Sequence, residues 1–157
     1  MKKVNLIFDF DGTLADTLDL GIAFAQANFD KYFSGERITK EEFRKRSLRE
    51  ALAYFGLPMH RLPQFTLDLK RSLDPANEGQ LFSGIPELLR ELKDQGKALY
   101  IMSSNNPEII RPMLKRFGVE ELFTDIVCDS SLFGKHQVLK RMMKKHNLTI
   151  EDSLYIG

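Results

Sequence analysis

Val4-Asn5-Leu6-Ile7-Phe8-Asp9-Phe10-Asp11-Gly12-Thr13-Leu14 is an apolar run cut short by two aspartates. A run of this length without polar alternation suits a strand buried on both faces, as in a parallel sheet. In open α/β sheets ligands bind beyond the carboxyl ends of the strands, so Asp9 and Asp11 are candidates for a binding site. Their spacing of two sends both side chains to the same side for as long as strand geometry lasts. Two carboxylates facing one site repel each other and stay ionised together beside a cation; oxygen ligands at a strand end suit Mg2+. Gly12 lets the chain turn where a side chain would obstruct it.

Three more apolar runs follow, at residues 98–102, 125–128 and 153–156. Helical stretches separate them. Residues 86–95 open on Pro86 and stop at Gly96, and residues 107–117 follow the cap Asn106 and stop at Gly118. Residues 135–146 carry Val138, Leu139, Met142 and Met143 at helical spacing and close on Asn147. Strands alternating with helices predict an α/β fold, a Rossmann-like, doubly wound parallel sheet flanked by helices.

Between the first run and the others lies a stretch without a convincing strand. Residues 18–33 are amphipathic, and Thr39 with Glu42 and Ser47 with Glu50 have capping-box spacing. Helices are expected at 40–45, at 48–55 (closed by Gly56) and at 62–73, before the turn-rich exit Asp74-Pro75-Ala76-Asn77-Glu78-Gly79. The predicted organisation is a discontinuous α/β core of residues 1–16 and 84–157, with an all-helical insert of residues 17–83.

The chain has 157 residues, 43% hydrophobic and 29% charged, which suits one medium domain or a small core with an insertion. A net charge of +1 provides no overall field for nucleic acid or a membrane surface. The basic runs Arg44-Lys45-Arg46 and Lys144-Lys145 read as solvated helix faces. A single cysteine, Cys128, rules out a disulfide within the chain and points to a reducing, cytoplasmic setting; at the end of an apolar run it reads as a structural thiol. No apolar stretch approaches the ~20 residues that span a bilayer, and the N-terminal run is too short for a signal-peptide core. No nucleic-acid or membrane partner is expected.

The string Asp9-Phe10-Asp11-Gly12-Thr13-Leu14-Ala15-Asp16 after a hydrophobic strand resembles the first motif of the phosphatase branch of the haloacid dehalogenase-like (HAD) superfamily. The helical insert, by its place and helix content, is similar to the cap of phosphoglycolate phosphatase-like members. The resemblance runs from residue 4 to residue 157, with its motifs in the core. It implies that Asp9 is a nucleophile forming an aspartyl-phosphate and that Asp11 is the acid and base. The dehalogenase branch lacks an aspartate at the second position, so Asp11 favours phosphoryl transfer over carbon–halogen cleavage. The family's second motif, a serine or threonine closing the next core strand, matches Ser103, with Ser104 the alternative one residue on. The third motif, a lysine near the start of a later helix, matches Lys135, although His136 stands where many relatives have proline. Ser103, Ser104, Lys135, Gly12 and Thr13 thus form the implied phosphate-binding set. The implied cofactor is Mg2+, held by Asp9, by Asp11 through its backbone carbonyl, and by an acid of the fourth motif. Arg46 and Arg49 of the insert are candidate contacts for an anionic substrate.

Ser153-Leu154-Tyr155-Ile156-Gly157 is similar to the strand and glycine that precede that fourth motif. Glu151 and Asp152 come before the strand, at its far end, about 17 Å away for a five-residue strand. The resemblance therefore implies a core incomplete at its C-terminus, a chain that is a piece of a longer protein, and weakened Mg2+ affinity and turnover. It also implies an apolar edge at residues 153–156 open to self-association. The implied function is Mg2+-dependent hydrolysis of a small phosphorylated metabolite. The alternatives are a phosphosugar mutase on the same scaffold, which returns the phosphoryl group to sugar, and a non-catalytic module that binds a phosphorylated ligand or a partner protein.

Overall fold

The computed structural model describes residues 4–46, 48–72, 79–103, 105, 107–128 and 134–157, without the side chains of residues 48, 49, 70, 134 and 135. The chain divides into two compact units, Met1–Asp16 with Pro75–Gly157, and Thr17–Asp74.

The first unit is built on four parallel strands, β1 (Asn5–Phe8), β2 (Ala98–Ser103), β3 (Phe123–Cys128) and β4 (Ser153–Ile156), in the order β3-β2-β1-β4. Because side chains alternate along a strand, the uninterrupted apolar runs feed both faces. Leu6, Phe8, Leu99, Ile101 and Ile126 pack on one face with Leu89 and with Ile110, Met113 and Leu114. Those partners come from helices α6 (Ile85–Asp94) and α7 (Pro107–Arg116). Ile7, Tyr100 and Met102 pack on the other face with Val138 and Met142 of α8 (Gly134–His146). The α/β reading of the sequence holds.

β3 begins two residues earlier than its apolar run suggests. Phe123 pairs with Leu99 and Asp125 with Tyr100, so the register shifts across Thr124, and this irregularity hides the strand start among polar residues.

The boundary expected at residues 83 and 84 also moves. Leu81 is buried in the same cluster as Phe8 and Phe10, and it bridges antiparallel to Ala15. The Phe82 N–H donates to Leu14 O at 3.0 Å, and the Asp16 N–H to Gln80 O at 2.9 Å. Residues 79–83 therefore belong with the core, because they complete the backbone pairing of the loop after β1.

The second unit is all helical: α1 (Thr17–Ala27), α2 (Phe29–Tyr32), α3 (Lys40–Arg44), α4 (Leu48–Tyr54) and α5 (Leu62–Ser72), with a short 3-10 turn at Met59–Arg61. The amphipathic stretch of residues 18–33 forms two helices, α1 and α2. At Asn28 the backbone leaves helical values, at φ −112° and ψ 24°, while its N–H and its side-chain Nδ2 both donate to Phe24 O, at 3.0 and 2.9 Å. Thr39 caps α3, accepting the Glu42 N–H at 3.2 Å. The reciprocal half of that capping box gives way to ion pairs from Glu42 to Lys45 at 2.8 Å and to Arg46 at 2.6 Å. Ser47, the proposed second cap, lies outside the described residues. The unit's core is rich in phenylalanine, with Phe29, Phe33, Phe43, Phe55 and Phe65 all buried. Gly56 closes α4 at φ 80°, and a Cβ there would come 2.6 Å from Gly35 N, so the turn admits only glycine. Among the described residues no helix is long and apolar enough to cross a membrane.

Candidate active site at the carboxyl end of the sheet

β1 carries its pairing one residue past its end, where the Asp9 N–H donates to Ile156 O at 2.8 Å. The chain then folds over on itself. Phe10, fully buried, offers its carbonyl to the N–H groups of Thr13, Leu14 and Ala15 at 3.3, 3.0 and 3.0 Å, and the Gly12 N–H donates to Ala15 O at 2.9 Å. Gly12 sits at φ 78° with open space around it, so glycine serves the backbone conformation there and not a tight contact. The amides of Gly12 and Thr13 are thus engaged inside the turn.

Asp9 and Asp11 leave this strand end together with the terminus of β2. Ser103, the one buried polar residue among the described residues, lies opposite Cys128 in the β2–β3 pairing. Its Oγ donates to Asp11 Oδ2 at 3.2 Å and accepts the Asn105 N–H at 2.9 Å. Asn105 Nδ2 donates to Asp11 Oδ1 at 3.1 Å. Asp9 Oδ1 accepts the Phe10 N–H at 2.9 Å. The sequence reading passed over Asn105 because, in Ser-Ser-Asn-Asn, it has the composition of a loop; only its spatial neighbour gives it a role.

Gly157 follows β4 and lies against the nucleophile candidate. A Cβ at that position would come 2.8 Å from Asp9 Cβ. Burial pushes the Cys128 thiol up from its usual value, and Asp11 adds to this against the opposing charge of Arg111. A thiol held protonated fits a structural role.

Ser104 and the side chains of Lys135 and Arg49 lie outside the described residues; Lys135 falls in the first turn of α8. Arg46 is held within the helical unit. Its guanidinium donates to Glu42 O at 2.8 Å and Glu42 Oε2 at 2.6 Å, and it lies 3.8 Å over the Tyr54 ring. An apolar cavity of about 380 Å³ lined by Leu6, Phe8, Leu88, Leu92, Leu154 and Ile156 lies on the sheet face, with no carboxylate in its walls.

The profile of the haloacid dehalogenase-like hydrolases matches residues 6–157. The chain belongs to this family. It is similar to a phosphoglycolate phosphatase of Synechococcus elongatus, 29% identical over 156 residues, covering 97% of this chain and 73% of that protein. It is also similar to a 5'-nucleotidase of Pseudomonas aeruginosa, 25% identical over 172 residues, covering 100% of this chain and 75% of that protein. A solved haloacid dehalogenase-like hydrolase from Streptococcus pneumoniae superposes with a TM-score of 0.75 at 26% identity, covering 99% of this chain and 76% of the other. The chain thus spans about three quarters of the length of each.

HAD phosphatases generally use a divalent metal. The donors at the end of β1 are hard carboxylate oxygens, which fit Mg2+ better than a soft metal. Among the described residues no group of three or more His, Cys, Asp and Glu gathers as a metal site. Mg2+ needs no such cage, since one or two carboxylates complemented by substrate phosphate and water suffice.

Proposed function

We propose that this HAD-like phosphoric monoester hydrolase acts on a small phosphorylated metabolite, such as phosphoglycolate, through an aspartyl-phosphate on Asp9. What supports the reading is the meeting of Asp11 Oδ2 and Ser103 Oγ at 3.2 Å, from residues 92 apart in the chain, beside the strand end that presents Asp9. An acid, a candidate nucleophile and a hydroxyl that can contact phosphate share one end of one sheet.

In the first half-reaction a carboxylate oxygen of Asp9 bonds to phosphorus, the ester P–O bond breaks, and the proton of Asp11 goes to the leaving oxygen. In the second, water attacks the same phosphorus, the bond to Asp9 breaks, and Asp11 takes the water's proton, returning both residues to their starting state. Ser103 and Lys135 hold phosphate oxygens in this reading, with the main-chain turn at Gly12 and Thr13 beside them. Mg2+, held by Asp9 and Asp11, would neutralise charge on the transferring group.

The test is a phosphate-release assay over small phosphomonoesters with this chain, with and without Mg2+. Release of inorganic phosphate that EDTA abolishes and Mg2+ restores is the expected result. Isomerised sugar phosphate in place of inorganic phosphate would indicate the mutase, and phosphate binding without turnover would sink the catalytic reading.

A further inference from the structure

Asp11 is gripped at both of its oxygens, and one residue has a hand in each grip. Asn105, two positions past the end of β2, donates from Nδ2 to Asp11 Oδ1 at 3.1 Å. Its backbone N–H donates to Ser103 Oγ at 2.9 Å, and that hydroxyl donates to Asp11 Oδ2 at 3.2 Å. An aspartate has two rotatable bonds between its backbone and its carboxylate, and proton transfer depends on where the oxygens point. Donors on two different oxygens define the carboxylate plane, which neither donor does alone.

We propose that Asn105 is a positioning residue for the reaction, setting with Ser103 the orientation in which Asp11 delivers its proton to the leaving oxygen. The proposal rests on the reading of Asp11 as acid and base. A purely structural role for Asn105 would act through its backbone N–H, which ties it to the Ser103 hydroxyl. Asn105→Ala keeps that bond and removes the side-chain grip on Asp11.

Leaving-group dependence isolates the role. Nitrophenolate leaves phosphorus with little need of a proton, whereas the alkoxide of phosphoglycolate or glycerol 2-phosphate needs one as the bond breaks. In kcat/KM, which covers the step where the leaving group departs, Asn105→Ala is expected to lose about tenfold on the alkyl phosphates. It should change p-nitrophenyl phosphate hydrolysis less than about threefold, because no proton is needed there. Asn105→Asp, which keeps the shape but replaces the donor with a charge repelling Asp11, should lose at least as much. A smaller fraction of folded protein would lower all substrates in proportion. An equal loss on both substrate types, or no loss, overturns the proposal. Asp11→Asn is the control: if it shows no leaving-group dependence, the acid–base reading itself fails, whereas dependence there with none in Asn105→Ala overturns only the role of Asn105. A second measurement needs no turnover. The side-chain amide resonances of Asn105 should shift in Asp11→Ala, and unmoved resonances overturn the proposal as well.

Discussion

At Gly157 the backbone leaves no space for a side chain on the Asp9 side, since a Cβ would stand 2.8 Å from Asp9 Cβ and 2.9 Å from the Tyr155 hydroxyl. The exposed Tyr155 ring can swing away, but Asp9 yields less easily, because the β1–β4 pairing holds it through its N–H. Gly157→Ala should therefore push the proposed nucleophile, Asp9, aside. The expected loss is up to about a hundredfold in kcat/KM, the scale of a displacement near 1 Å at a reacting group. Enzyme assays set beside thermal melts check this, and full activity would show that Asp9 has freedom the packing denies it. On the proposed mechanism, Asp9→Asn removes the attacking oxygen while keeping size. Activity should fall at least about a thousandfold with the melting temperature little changed, leaving only binding and electrostatic effects.

Between residue and molecule stand the helices and what pins them. α8 is tied at its C-terminal end to β3 by one carboxylate, with Asp125 Oδ2 2.8 Å from Lys145 Nζ and 2.7 Å from His146 Nε2. Burial raises the Asp125 pKa, but these hydrogen bonds outweigh it and hold the group below its usual 3.8. In the helical unit Asp68 joins α5 to α2 by accepting from Lys31 and Tyr32, which, Lys31 first, hold its pKa at about 2. Both folded values lie below the unfolded ones. The stability they contribute is therefore complete above about pH 4 and is lost as the pH falls through the depressed folded values. Asp125→Asn should cost about 1 kcal/mol at neutral pH, as for a pair whose carboxylate is partly buried while its lysine stays exposed. Either Asp125→Asn or Asp68→Asn should flatten the fall of denaturant midpoint between pH 4 and 2. Unchanged acid sensitivity in both variants would remove these pairs from the account. α8 also carries Lys135, so its anchoring bears on where that lysine stands.

Across the whole molecule the two units have apolar cores with no residue in common: one runs through Leu6, Phe8, Leu99 and Ile101, the other through Ile22, Phe43, Phe55 and Phe65. Each core meets the requirement of its own elements, a sheet covered on its faces or short helices closing on aromatic rings. Phe55 is fully buried, and Phe55→Ala should cost about 3–5 kcal/mol within the helical unit. Amide hydrogen exchange should then quicken over residues 17–74 while β1 and β2 keep their protection. Equal loss in both units would mean that they unfold as one.

The sequence alone determined the strands of the sheet, the helical character of the insert and the acid pair at the strand end. These depend on local order, on runs of apolar residues, on cap and glycine positions and on a compact motif, all of which survive in one dimension. Only the tertiary structure decided that residues 79–83 belong to the core, since Leu81 gains its partner Ala15 from 66 positions earlier. The same is true of the start of β3, which depends on a register shift against β2, and of Asn105, whose amide meets Asp11 from 94 residues away. A hydrogen bond depends on distance and direction in space, and a loop asparagine reveals neither until the sheet has brought the ends of β1 and β2 together.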